Sequence, residues 1–120
     1  MLKGMEGSIL PILTAHGEGR CVFPDESVLD RFVDQDLAPI RFVDARGDIT
    51  EQYPLNPNGS KFGITALCGR GGRDLIMMPH PERLFLRWQL EAFYWPPQWD
   101  LIRVSPWFQL FQNAYDWCAQ

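Results

Sequence analysis

The sequence predicts an α/β or α+β fold, with short strands mostly joined by hairpins, helices interspersed, and no self-contained alternating βαβ series. Three observations carry this. Short apolar runs at 9–13, 40–44, 63–68 and 74–78 each end near a cluster of turn-forming residues. An amphipathic segment follows Asp25, which suits a helix N-cap. A final amphipathic segment opens on Ser105-Pro106, a cap followed by proline at the first helical position.

Taken in order, Ile9 to Leu13 reads as a buried strand with Pro11 at an edge or bulge. It leads into a polar, glycine-rich turn, His16-Gly17-Glu18-Gly19-Arg20, and then Cys21-Val22-Phe23 reads as a brief strand. A helix is predicted from about Glu26 to Gln35, because Val28, Leu29, Phe32 and Val33 fall on one face. Ile40 to Asp44 reads as a strand, and Ala45-Arg46-Gly47-Asp48 as a hairpin turn into Ile49 to Tyr53. Pro54 to Ser60 is a loop dense in turn formers. Gly63 to Cys68 is a strand, Gly69 to Arg73 a turn, and Asp74 to Met78 a strongly apolar strand expected to be buried. A short helix is expected over 84–92, and Pro96-Pro97 breaks what precedes it. In the last helix Trp107, Phe111, Ala114, Tyr115 and Cys118 form the expected apolar stripe.

Composition narrows the classes. A chain of 120 residues is one domain by default, and 46% apolar residues suffice for a core. Five Trp and eight Phe are a heavy aromatic load, and such a surface usually meets something. The formal charge is −4 and basic residues form no stripe, so no nucleic-acid partner is expected. No apolar stretch is long enough to span a bilayer and the first residues carry no signal-peptide pattern, so the expectation is no membrane partner and a cytoplasmic chain. Three widely spaced cysteines, Cys21, Cys68 and Cys118, argue against a disulfide framework and read as reduced thiols used as small hydrophobes.

Some matches are decoys. Arg46-Gly47-Asp48 fits an adhesion tripeptide, but a hairpin turn explains it better. Asn58-Gly59-Ser60 fits a glycosylation acceptor by chance, since no secretory signal accompanies it. Gly69 to Arg73 fits neither a Walker A loop nor a dinucleotide fingerprint.

The sharpest local feature is Met77-Met78-Pro79-His80-Pro81-Glu82-Arg83. A strand runs into a histidine and a carboxylate separated by one proline. Residues i and i+2 of an extended chain point to one side, and Pro81 biases His80 toward extended geometry. His80 and Glu82 are therefore expected to project together, as an imidazole backed by a carboxylate requires. On these residues alone, a structural pair in a proline-rich turn competes with a catalytic one.

The strings Gly4 to Ser8, Ala15 to Arg20, Tyr53 to Ser60, Met77 to Arg83 and Ser105 to Ala114 together decide the reading. His-Pro-Glu after an apolar strand resembles the last two triad members of class I (triad-type) glutamine amidotransferases. All the strings, in this order, resemble the phosphoribosylformylglycinamidine synthase family, large single-chain type, and the resemblance covers essentially the whole chain.

The resemblance implies the C-terminal part of a flavodoxin-like, three-layer α/β amidotransferase domain spanning 1–120, with a mixed sheet lacking its N-terminal parallel strands. It implies His80 and Glu82 as catalytic residues of a Cys-His-Glu triad, with glutamine as substrate. It also implies partners: the remainder of the amidotransferase, and a synthetase domain where ATP and magnesium act, no cofactor being expected in this chain. The family's nucleophile lies in a Gly-x-Cys-x-Gly elbow, a context neither Cys21 nor Cys68 has. The isolated chain is therefore expected to be inactive. Alternatives are a non-catalytic module, or one piece of a split enzyme completed by a cysteine-bearing partner. His16 and Gly17 stand where the family's turn lies beside the glutamine pocket; the other reading is a glycine turn whose His16 and Glu18 satisfy local backbone groups. Nothing fixes His16, Glu18, His80 and Glu82 as metal ligands, and no metal site is expected. Lys61-Phe62 departs from the family's usual proline and small residues.

Overall fold

The computed structural model describes residues 1–90 and 102–119. These form helix α1 (Glu26–Asp34), strand β1 (Ile40–Arg41), strands β2 (Ile64–Cys68) and β3 (Leu75–Met77), helix α2 (Arg87–Leu90) and helix α3 (Phe108–Cys118). The chain divides into two compact units, one of residues 16–78 and one of residues 1–15 with 79–120.

In the 16–78 unit, α1 forms as its sequence dictates. Asp25 stands in extended geometry and its carboxylate accepts from Val28 N at 3.0 Å, satisfying one of the orphan donors of the first turn. Leu29 is buried, with Val28, Phe32 and Val33 partly so, which is the predicted face. The core gathers Leu29, Ala38 and Ile64, with Cys21, Phe23, Val33 and Leu67 against it. Cys21 to Phe23 is not a strand. Cys21 and Phe23 pack instead, the Phe23 ring lying 5.4 Å from Phe32, centroid to centroid.

The sheet is three-stranded and antiparallel, in the order β1-β2-β3. No parallel pair accompanies it among the described residues, so the expected mixed sheet is corrected to an antiparallel one. Central β2 buries Ile64, Thr65 and Ala66. The predicted strand at 40–44 shrinks to two residues because its pairing changes partner. Phe42 N donates to Gly63 O, while Phe42 O accepts from Thr50 N. Gly63 makes this handover possible: its φ is +62°, and a Cβ there would sit 2.7 Å from Phe42 O. Beyond it, only a Val43–Ile49 bridge remains of the expected strand into Tyr53.

The turn at 45–48 is built on Asp44, whose Oδ1 accepts from Arg46 N and Asp48 N. Those backbone donors lower the Asp44 pKa, and they account for Arg46-Gly47-Asp48 as a turn. β3 is not buried as expected: Ile76 is 72% exposed. With β2 on one side only, β3 is an edge among the described residues, and its alternate side chains face solvent.

In the other unit, Ile9 to Leu13 forms no strand, which corrects the prediction. Pro11 has no N–H to give a ladder, and the segment's carbonyls are taken otherwise. Leu13 O accepts from His80 N at 3.0 Å and Pro11 O from the Trp107 indole Nε1 at 2.7 Å. Among the described residues of this unit, Leu84, Leu90, Trp107 and Leu110 are buried in its core. Of the predicted 84–92 helix, α2 takes up 87–90, while residues 84–86 are not helical; its last two positions lie outside the described residues, as do Trp95, Pro96, Pro97 and Trp99.

Ser105 does not cap α3 as predicted: Trp107 stands at the cap position without a side-chain capping bond, and Ser105 Oγ accepts from Trp107 N at 3.1 Å in the turn ahead of the helix. The regular helix begins two residues later than the Ser-Pro signal suggests. Of the predicted stripe Trp107 is buried and Ala114 half-buried, with Leu110 completing the inward face. Phe111, Tyr115 and Cys118 are exposed. Cys118 is thus not a core hydrophobe, whereas Cys21 and Cys68 are half-buried.

Candidate active site

Pro79 and Pro81 are buried and hold the backbone on either side of His80. His80 N is anchored on Leu13 O. Pro81–Arg83 then forms a 3₁₀ turn, with His80 at φ −111° and ψ 83° before it. The extended arrangement expected through Glu82 is therefore corrected: Pro81 opens a tight turn, and that turn brings the carboxylate back to the ring's Nδ1.

The result is the expected pair. His80 Nδ1 stands 2.7 Å from Glu82 Oε1. Ionised Glu82 can only accept, so Nδ1 carries the proton and Nε2 is left as the basic nitrogen. The contact, first of all the hydrogen bond from His80, lowers the Glu82 pKa. Glu82 side-chain exposure is 55% and that of His80 30%, so solvent screens the pair and ring orientation is its main product. An imidazole held this way takes a proton at Nε2 and returns it, as acyl transfer from an amide to a thiol requires.

The other sequence-selected turn lies in the 16–78 unit and is built differently. His16 is half-buried, and its Nε2 lies 3.2 Å from Asn58 Nδ2. Asn58 Nδ2 also donates to Gly19 O at 2.9 Å. Gly19 is buried against the ring, where any Cβ would collide with His16. Gly17 is exposed and faces open space. His16 thus meets a side-chain amide 42 residues along the chain rather than the local backbone groups of one reading, while Gly17 leaves the turn open to solvent.

The residues that sequence reading missed are in the loop opposite that turn. Asn56 is 1% exposed. Its amide donates to Thr50 O and Ser60 O, and its Oδ1 accepts from Gly59 N. Ser60, also buried, accepts from Cys21 N at 2.8 Å and donates to Asn58 Oδ1 at 2.8 Å. The signal was the density of Asn and Ser in Asn56 to Ser60, since amides and hydroxyls replace backbone partners in buried turns. Asn58 is half-buried and hydrogen-bonded through both amide atoms.

Neither half-buried cysteine resembles an activated nucleophile. Burial pushes the Cys21 thiol pKa up, and no thiolate is favoured there. Cys68 Sγ lies 3.9 Å from Asp36 O. Lys61 forms an ion pair with Glu26 at 2.9 Å, and Phe62 adopts a left-handed φ of 52° with its N–H donated to Glu51. Among the described residues no three His, Cys, Asp or Glu side chains are placed to hold a metal, and no helix is long and apolar enough to cross a membrane.

Residues 1–118 match the CobB/CobQ-like glutamine amidotransferase domain. The chain belongs to that family. Within it, the chain is 56% identical over 119 residues to a protein of Arabidopsis thaliana named "Probable phosphoribosylformylglycinamidine synthase, chloroplastic/mitochondrial", covering 98% of this chain and 8% of the relative. It is 48% identical over 121 residues to phosphoribosylformylglycinamidine synthase of Homo sapiens, covering 100% of this chain and 9% of that protein. The Dictyostelium discoideum protein of the same name is 45% identical over 126 residues, 98% of this chain and 9% of the relative. The chain therefore spans under a tenth of the length of these relatives. The amidotransferase assignment agrees with the His-Pro-Glu and turn strings from which the family was read.

Proposed function

We propose that this chain supplies the histidine and glutamate of a Cys-His-Glu glutaminase triad in a phosphoribosylformylglycinamidine synthase. The His80 Nδ1–Glu82 Oε1 contact of 2.7 Å carries the proposal, supported by membership of a glutamine amidotransferase family. In this reading residues 1–120 are the C-terminal portion of a flavodoxin-like, three-layer class I domain. The nucleophilic cysteine comes from another part of the amidotransferase.

That thiol passes its proton to His80 Nε2 and attacks the γ-carboxamide carbon of glutamine, forming a C–S bond. His80 then gives the proton to the departing nitrogen, the C–N bond breaks, and ammonia leaves a γ-glutamyl thioester. His80 next takes a proton from water, which attacks the thioester carbon. The C–S bond breaks, and the proton returns to the thiol or the medium as glutamate is released. Glu82 keeps Nδ1 protonated throughout and offsets the charge of the imidazolium. Ammonia then passes to a synthetase domain, where ATP and magnesium act in amidating formylglycinamide ribonucleotide. No step in this chain is routed through either. Purine biosynthesis in the cytoplasm is the proposed setting, although the Arabidopsis relative is named for chloroplast and mitochondrion.

The test uses the assembled enzyme bearing this sequence. His80→Ala abolishes glutamine-dependent amidation and leaves amidation from ammonium salts intact. Unchanged glutamine-dependent turnover would instead make this a non-catalytic module.

A further inference from the structure

We infer that Asn58 is a positioning residue that fixes the tautomer and the seat of His16, so that the Pro54–Ser60 loop controls the shape of the His16–Arg20 turn. The inference rests on the reading that this turn borders the glutamine pocket. Five contacts, all within the 16–78 unit, determine it. Ser60 Oγ accepts from Cys21 N at 2.8 Å, so its own proton is available to Asn58 Oδ1 at 2.8 Å. Ser60 N donates to the same oxygen at 3.1 Å. With Oδ1 receiving two donors, the Asn58 amide cannot be flipped, and Nδ2 must face Gly19 O and His16 Nε2.

A donor at Nε2 requires that nitrogen to be the unprotonated one. His16 therefore carries its proton on Nδ1, an atom that is buried without a hydrogen-bond partner among the described residues. An orphaned buried donor is costly, about 1–3 kcal/mol, and the ring left alone would place its proton elsewhere. Asn58 and the Gly19 seat hold it in this state. A ring locked against the backbone of its own turn gives Gly17 and Glu18, both exposed, one defined path. Open backbone at Gly17 is then presented in a fixed position, the preorganisation a small polar substrate needs.

Two histidines make the test direct. In the ¹⁵N-labelled chain, long-range nitrogen–proton correlations report which ring nitrogen of His16 is protonated, with His80→Gln assigning the pair. The wild-type chain is expected to show Nδ1–H at His16; Nε2–H there overturns the inference. Asn58→Asp keeps the acceptor for Ser60 but replaces the amide donor with a carboxylate, and is expected to move the proton to Nε2. Asn58→Ala is expected to leave a mixture of the two tautomers. Either variant folding with His16 unchanged overturns it. L-Glutamine is then titrated while the Gly17 amide signal is followed. No response beside the expected tautomers would sink the glutamine-pocket reading and leave the role of Asn58 standing.

Discussion

His80 and His16 are held by opposite chemistry. At His80 the partner is an exposed carboxylate that only accepts; at His16 it is an amide whose nitrogen only donates. Both rings end with the proton on Nδ1, His80 because its Nδ1 is drawn to Glu82, His16 because its Nε2 is claimed by Asn58. The consequences differ. The His80 Nε2 has no partner among the described residues and can exchange a proton, whereas the His16 Nε2 is occupied. A carboxylate behind an imidazole makes a base, while an amide in front of one makes a strut.

The largest expected effects concern His80. The isolated chain releases no glutamate from glutamine above background, since lacking a triad nucleophile costs on the order of a millionfold in rate. Release that Cys21→Ala or Cys68→Ala abolishes would place the nucleophile within this chain and undo the contrast. In the assembled enzyme, Glu82→Gln lowers glutaminase kcat by about 10⁴-fold, because an amide can favour the wrong tautomer. Ammonia-dependent turnover measured alongside should be unchanged.

At the His16 turn the effects are on stability. Asn56→Ala strands Thr50 O, Ser60 O and Gly59 N, at about 1–3 kcal/mol for each group left unsatisfied. A urea midpoint equal to wild type would mean that water replaces the network. Gly19→Ala drives a methyl into the His16 ring, with an expected loss of about 1–3 kcal/mol. A displaced His16 resonance should accompany it.

The smallest effect separates the turns by pH. The Glu82 pKa is lowered in the fold, so its contribution is fully present above the unfolded carboxylate value of about 4.3. It is lost as pH falls through the depressed folded value. Urea midpoints followed from neutral to acid pH should therefore converge for wild type and Glu82→Gln at the acid end. Salt should shrink their neutral difference, because the pair is exposed. A difference that persists at low pH would mean the pair acts through packing rather than charge.

What the sequence determined by itself is local. Asp25 caps α1 and the apolar face of that helix turns inward, because spacing and a capping oxygen act within one turn. The turns at 45–48 and 69–73 are set by their own Gly and Asp chemistry, and His80 meets Glu82 because Pro81 opens a tight turn between them. Tertiary structure decided the rest. Ile9 to Leu13 is apolar enough for a strand, yet its carbonyls went to His80 N and the Trp107 indole, partners far along the chain that no local pattern encodes. The stripe of α3 faces Trp107 and Leu110 inward instead of Phe111 and Tyr115. Both faces of that helix are aromatic, so periodicity alone could not choose between them. Asn58 shows the same limit at the site: its motif read as a chance match, and only long-range contacts with Gly19 and His16 make it a half-buried clamp. Propensity acts over a few residues, whereas a hydrogen bond in the core is decided by which groups the folded chain brings to it.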